Sequence, residues 1–114
     1  MKLITPTSKI SKQDLALIAQ NHFANMVKAI VDIKKEIILI DAKLHADEEA
    51  YLIQQGSKQE NLWGINLYPD LEGNNFIEFD CPINLRPSQN NLTRNIDNPQ
   101  IRKKIINLVS KLIH

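Results

Sequence analysis

Two neighbouring apolar segments between residues 61 and 89 carry polar side chains that could form a binding site. The polar residues alternate with apolar ones, so pairing of two strands would bring them to one face of a sheet. Arg86 follows the second segment, close to Ser and Gln side chains, and a guanidinium fork in that setting suits a carboxylate or a phosphate. We therefore predict a ligand-binding site formed by Trp63, Asn66, Tyr68, Glu78, Asp80, Asn84, Arg86, Ser88 and Gln89.

The same residues have a simpler interpretation, because antiparallel sheets often expose one polar face to water. Pro82 is the critical position, since Pro cannot donate to a strand ladder and indicates an edge strand, a bulge or a break there. A bulge at Pro82 would turn Arg86 away from Asp80 and divide the predicted site in two. The alternation leaves both arrangements open.

A cluster around His45 is the first candidate for metal binding. His45 precedes Asp47, Glu48 and Glu49 at spacings that a helix would bring together, and imidazole with carboxylates suits zinc or another transition metal. A second His is missing from the pattern, and carboxylates in a first helical turn also complement the helix dipole. No metal site is favoured, and no cofactor is indicated.

Glu78 and Asp80 are the candidate catalytic pair, because two carboxyl groups with different pKa values can serve as general acid and base. Arg86 or Lys28 could equally pair with them in a structural role. Cys81 falls on the apolar side of the predicted strand, where a thiol is usually inert packing. The enzyme alternative to a binding module is a small hydrolase that uses His45 or the carboxylate pair, with or without a metal ion.

The net charge of +1 gives no overall attraction to nucleic acid or to an anionic membrane. Acidic residues concentrate between 43 and 80, whereas basic residues dominate from 87 onward. The basic group could bind nucleic acid weakly, but aromatic residues do not interleave with it, and a solvated helix face explains it better. Its members are Arg94, Arg102, Lys103, Lys104 and Lys111. We expect a small anionic ligand or a protein partner instead, which could be a second copy of the chain.

Cysteine usage and the N-terminal residues bear on the compartment. One cysteine allows no internal disulfide, which is typical of a reducing environment. The first residues lack the pattern of a signal peptide, and no segment approaches the roughly 20 apolar residues that span a bilayer. We predict a cytoplasmic protein without membrane contact.

The chain length and the hydrophobic periodicity predict one α+β domain spanning residues 1–114, with a small antiparallel sheet of about four strands. The N- and C-terminal helices are expected to pack on one face of this sheet. The predicted elements are a helix over 12–25, strands over 27–33 and 36–40, a short helix over 46–55, strands over 61–68 and from 76, and a helix from Pro99.

The alternation and the helical spacing also predict which side chains face the core. The predicted core positions are Trp63, Ile65, Leu67, Ile77 and Phe79 on the strands, Leu15, Ile18, Ala19 and Phe23 on the first helix, Ala46, Ala50 and Ile53 on the middle helix, and Ile101, Ile105, Leu108, Val109 and Leu112 on the last. The outward positions of the last two strands are then Asn66, Glu78 and Asp80.

From about Val27 onward the chain resembles an uncharacterised family of short prokaryotic proteins, catalogued only as a domain of unknown function. The strings that carry the resemblance are HADEE (45–49), GSKQENLWGINLYP (56–69), INLRPSQ (83–89) and NPQIRKKI (98–105). The resemblance implies no activity, ligand or catalytic residue. Similar sequences continue the third string with Gly and a basic residue, whereas this chain has Asn90, which puts the geometry of that loop in doubt.

Overall fold

The computed structural model describes residues 1–22 and 25–114 and confirms the α+β class. The described residues form five strands and three α-helices in the order β-α-β-β-α-β-β-α, with short 3-10 turns over 59–61, 73–75, 82–84 and 87–89. The elements are β1 (Lys2–Ile4), α1 (Lys12–Ala19), β2 (Val27–Asp32), β3 (Ile37–Ile40), α2 (His45–Gln54), β4 (Leu62–Leu67), β5 (Ile77–Glu78) and α3 (Pro99–Leu112).

The sheet is antiparallel throughout, in the order β1-β3-β2-β4-β5. The two strands predicted over 27–33 and 36–40 pair as a hairpin, β2 with β3, although Lys34 and Lys35 between them are not the usual turn residues. Asp32 replaces them, because its Oδ1 accepts from the backbone N–H groups of Lys34 and Lys35, both at 2.9 Å. Ser57 donates to the other carboxylate oxygen of Asp32 at 2.7 Å, so the buried Asp32 side chain holds this exposed turn in place.

One face of the sheet packs against α1 and α3, as the sequence predicts. Ser11 and Asp14 close a capping box at the start of α1, and Asn98 caps α3 with Pro99 in its first turn. The apolar stripes of both helices meet the odd-numbered side chains of β4 on this face. The main core contains Leu15, Ala19, Trp63, Ile65, Leu67, Ile105, Leu108, Val109 and Leu112, with Ile18, Ile77, Phe79 and Ile101 packed against it.

The opposite face is covered by α2, and the predicted orientation of this helix is wrong. Leu52 joins Ile30, Leu39 and Leu62 in a second apolar cluster, which fixes the rotation of α2 about its axis. Residues three, four and seven positions before Leu52 then also turn toward the sheet. The helix consequently buries His45 and Glu48 and half-buries Glu49, whereas Ala46, Ala50 and Ile53 are exposed.

Two predicted elements end earlier than expected. Helix α1 stops at Ala19 rather than Asn25, because the chain turns over residues 20–22; Phe23, predicted as a core position, lies outside the described residues. Strand β5 ends at Glu78, and Pro82 begins a 3-10 turn. Since Pro82 cannot continue the ladder, the chain turns before Arg86 is reached.

Candidate functional site

The predicted site residues on β4 and β5 are brought together in a network that we call the Asn66 cluster, consisting of Asn66, Tyr68, Glu78 and Asp80. The side-chain amide of Asn66 donates to Glu78 Oε1 at 2.7 Å and to the backbone carbonyl of Asp80 at 3.1 Å. The Tyr68 hydroxyl donates to the same Glu78 oxygen at 3.1 Å. Asn66 is only 5% exposed, and the network ties β4 to the chain beyond β5.

The two carboxylates of this cluster have partners inside the protein. Glu78 accepts from Asn66 and Tyr68, while Asp80 Oδ1 accepts from the Nε of Arg94 at 2.9 Å in an exposed ion pair. Burial and the neighbouring Glu78 raise the pKa of the Tyr68 hydroxyl. These contacts give each carboxylate a positioning role that does not depend on a ligand.

Asn84 replaces a missing strand beside β4. Its side-chain carbonyl accepts from the Gly64 N–H at 2.8 Å, and its side-chain amide donates to the Gly64 carbonyl at 2.9 Å. The same amide donates to the carbonyl of Arg94 at 3.2 Å. A buried backbone needs such partners, and Asn84, which is itself fully buried, supplies them where β5 no longer runs alongside.

Arg86 lies further along the same edge of β4, and its hydrogen-bond donors are occupied by acceptors of the protein itself. Its guanidinium and Nε donate to the backbone carbonyls of Gln59 (2.8 Å), Ile83 (3.0 Å) and Leu62. It also stacks over the Trp63 ring at 4.7 Å and lies 3.6 Å from a carboxylate oxygen of Glu49. At 7% exposure, with its donors directed at carbonyls, Arg86 acts as an internal clamp.

The predicted site is therefore divided at Pro82, into the Asn66 cluster and the edge formed by Asn84 and Arg86. Ser88 is exposed beyond this edge, and Gln89 donates from its side chain to the Glu60 carbonyl at 3.1 Å.

Asn90 adopts a left-handed conformation with φ 59°. Asn tolerates that region better than most residues, so the loop keeps a shape for which Gly is the usual choice.

His45, Glu48 and Glu49 do not converge on a common point. The His45 Nε2 lies 2.8 Å from the Ile65 carbonyl, and burial lowers the pKa of this imidazole. Glu48 is fully buried with neither carboxyl oxygen hydrogen-bonded, and burial raises its pKa to about 9. Glu49 faces Arg86. Within residues 1–22 and 25–114, no group of three or more acidic, His or Cys side chains is arranged to hold a metal ion.

Cys81 packs against the backbone of β4. The thiol is buried, and burial raises its pKa to about 11. A Cβ atom on Gly64 would lie 2.5 Å from the Cys81 Sγ, so glycine is required for this close approach. The thiol therefore has a packing role, consistent with its predicted inertness.

A cavity lies beside Ile77 and Phe79, which the sequence predicted as core positions. It is an open groove of about 670 Å³ between β5, the loop over 93–97 and α3, which we call the β5 groove. Ile77, Phe79 and Ile106 give it an apolar floor, and Asn95, Asp97 and Arg102 are among its polar lining. Its size and its mixture of apolar surface with few polar groups are typical of binding sites.

One sequence signal pointed to this groove. Ile106 lies outside the apolar stripe of α3 and is 43% exposed, an isolated large apolar side chain on an otherwise polar face. Ile77 and Phe79 face the core side as predicted but remain half-buried, because β5 is the last strand of the sheet. The exposure of Ile77 and Phe79 therefore follows from the position of β5 at the edge of the sheet, which the alternation of polar and apolar residues does not reveal.

The free side of β5 presents backbone hydrogen-bonding groups beside this groove. The Tyr68 N–H donates to the Phe76 carbonyl at 2.9 Å, so the even-numbered residues of β5 bond to β4. By the alternation of an antiparallel ladder, the N–H and C=O groups of Ile77 point away from β4. Phe79 follows directly beyond the end of β5 at Glu78. No turn or loop in the described parts of the chain supplies a partner for the N–H and C=O groups of either residue.

The comparisons with known proteins identify a family without assigning an activity. The model of the family described as "Protein of unknown function (DUF5674)" matches residues 3–112, so the chain belongs to that family. No curated protein and no solved structure matches it. Of the helices described, none is long and apolar enough to cross a membrane.

Proposed function

We propose that this member of the DUF5674 family is a binding module that takes up an extended segment of a partner protein along the free edge of β5. The supporting observation is the outward direction of the Ile77 backbone groups, next to Phe79 whose backbone N–H and C=O have no partner in the described chain, beside an apolar groove. A row of unpaired N–H and C=O groups at a sheet edge is a template for another strand. Strand addition of this kind is a recurring mode of peptide recognition.

The side chains around β5 favour a segment with alternating apolar residues. In an added strand every second side chain would point toward the face that carries Ile77 and Phe79. Ile106 of α3 lines the same groove. Arg102 and Asp97 would meet polar groups of the segment at the groove wall, so backbone pairing would supply affinity and the groove would supply sequence preference.

Along the outer edge of β4 and β5, the free backbone groups that a partner strand could pair with are those of β5. Asn84 and Arg86 already occupy the backbone groups of Gly64 and Leu62, so a partner strand cannot pair there.

The contacts of the candidate catalytic residues weigh against the hydrolase alternative, because Glu78, Asp80 and His45 each serve as a hydrogen-bond partner for another group of the protein. The lone cysteine suggests a reducing compartment such as the cytoplasm as the setting.

The proposal is tested by selecting random 12-residue peptides on the immobilised protein by phage display. We expect selected peptides to share apolar residues at alternate positions. Their affinity should fall at least tenfold for Ile106→Glu, which places a charge in the groove. The matched control is Ile53→Glu on α2, since Ile53 is 44% exposed and Ile106 is 43% exposed but only Ile106 lines the groove.

A scan of one selected peptide with N-methylated residues tests the backbone pairing. N-methylation removes single N–H donors, so methylation at every second position should abolish binding while the intervening positions tolerate it. Absence of any selected peptide, binding unaffected by Ile106→Glu, or a scan without this alternation would overturn the proposal.

A further inference from the structure

A second cavity lies at the N-terminal end of α2. It has a volume of about 380 Å³ and is lined by Asn21, His22, Met26, Lys28, Lys43 and Leu44. We call it the α2 cavity. Among the described residues it shares no lining side chain with the β5 groove. Its lining combines two lysines with the apolar side chains of Met26 and Leu44.

The cavity has more positive than negative charge around it. Lys28 and Lys43 line it and form no ion pair within the described residues, while one carboxylate, Asp41, contacts its lining through His22 at 2.8 Å. Glu48 and His45 lie within electrostatic reach of Lys28. Burial raises the pKa of Glu48 to about 9 and lowers that of His45, so both are neutral at pH 7 and leave the charge of Lys28 in place.

The start of α2 adds to this positive potential. The N-cap residue is Leu44, whose side chain offers no acceptor to the first helical turn. The backbone N–H groups of His45 and Ala46 have no acceptor elsewhere in the described chain. Since the N-terminus of a helix carries a partial positive charge, an anion close to Leu44 would be stabilised by the helix and by the two lysines together.

The apolar part of the lining restricts the class of anion. Leu44 is 55% exposed and Met26 is half-buried, so the cavity offers apolar surface next to the lysines. A fully hydrated ion would leave that surface in contact with water. We propose that the α2 cavity binds a small organic anion with an apolar body, such as a medium-chain carboxylate, whose charged group contacts Lys28 and Lys43.

The test follows the backbone amide signals of the full chain by NMR during titration with sodium octanoate. We expect saturable shifts at His45 and Ala46 in the millimolar range or below. Octylammonium chloride, which has the same tail and the opposite charge, and sodium phosphate, which has no tail, should both bind at least tenfold more weakly. Equal binding of either compound would overturn the proposed class.

Substitutions then locate the charged group. Lys28→Gln combined with Lys43→Gln should raise the Kd for octanoate at least tenfold, whereas Lys103→Gln combined with Lys104→Gln on α3 should leave it within twofold. Lys43 is exposed, so K43Q alone, with an expected loss of threefold or more, keeps the test valid if the change at half-buried Lys28 impairs folding. No shift at His45 and Ala46, or unchanged affinity in these variants, would overturn the proposal.

Discussion

The side chain of Asn84 makes two hydrogen bonds to the backbone of Gly64, at 2.8 Å to its N–H and 2.9 Å to its carbonyl. An amide side chain offers one acceptor and one donor group, and in this geometry it reproduces what a neighbouring strand would supply. Because β5 separates from β4 after Glu78, no strand pairs with the buried backbone of Gly64 on this side. Asn84 supplies the hydrogen bonds that the Gly64 N–H and C=O would otherwise lack.

Asn84→Asp should destabilise the protein by about 2–4 kcal/mol, because a carboxylate can still accept from the Gly64 N–H but leaves the Gly64 carbonyl without a donor and buries a charge. Urea unfolding followed by far-UV circular dichroism measures the change. The control is Asn107→Asp on the exposed side of α3, where the expected effect is within about 0.5 kcal/mol. Equal effects at the two sites would show that the Gly64 contacts are unimportant.

Gly64→Ala should cost about 1–3 kcal/mol or more, since its Cβ would lie 2.5 Å from the Cys81 Sγ and 2.7 Å from the Cys81 Cβ. Cys81→Gly removes both atoms and should restore much of the loss in the double variant. A double-mutant cycle by denaturant unfolding measures this coupling. Additive effects of the two substitutions would contradict the close approach.

Arg86→Lys should destabilise the fold by about 2–4 kcal/mol, because an ammonium cannot reach three backbone carbonyls in the planar arrangement of the guanidinium. The fluorescence of Trp63, the only tryptophan, should change as well, since Arg86 stacks over its ring. The control is Arg94→Lys in the exposed pair with Asp80, where we expect less than about 1 kcal/mol. A ligand-binding role without structural effect would give the opposite result, namely an unchanged unfolding curve for Arg86→Lys.

Glu48 should make stability depend on pH. Burial raises its pKa from 4.5 to about 9 in the folded protein, so its contribution to stability is complete below the pKa of the unfolded chain and is lost as pH rises toward 9. The wild-type protein should therefore lose stability relative to Glu48→Gln between pH 5 and pH 8, by up to about 1.4 kcal/mol per pH unit.

Urea unfolding of both proteins at several pH values measures this difference. Asp47→Asn removes an exposed carboxylate from the same helix and serves as the control. Parallel stability curves for wild type and Glu48→Gln would show that Glu48 is not held as a neutral acid.

Local signals made much of the fold predictable from the sequence. Asn98 and Pro99 mark the start of α3, and β-branched residues mark β2 and β3, so these elements form where expected. The rotation of α2 was not predictable from its own pattern. It is fixed by Leu52 on the sheet, at the cost of burying Glu48.

The roles of Asn84 and Arg86 depend on contacts with residues about twenty positions away in sequence, which periodicity does not encode. Their residue types suggested a binding site, because the side-chain groups that recognise a ligand also recognise a backbone. The β5 groove was missed for a related reason. Alternation assigns Ile77 and Phe79 to the core side, but only the strand order shows that β5 is an edge.

The most direct test of the proposed function is hydrogen exchange at the backbone amides of Ile77 and Phe79, measured by NMR with and without a selected peptide. In the free protein the Ile77 amide points away from β4 and the Phe79 amide has no backbone acceptor in the described chain, so we expect fast exchange at both. A bound segment that pairs with β5 should slow exchange at both by at least tenfold, while the exposed turn amides of Gly73 and Asn74 stay unchanged. A peptide that binds and leaves the Ile77 and Phe79 amides exchanging as before would contradict strand addition at β5.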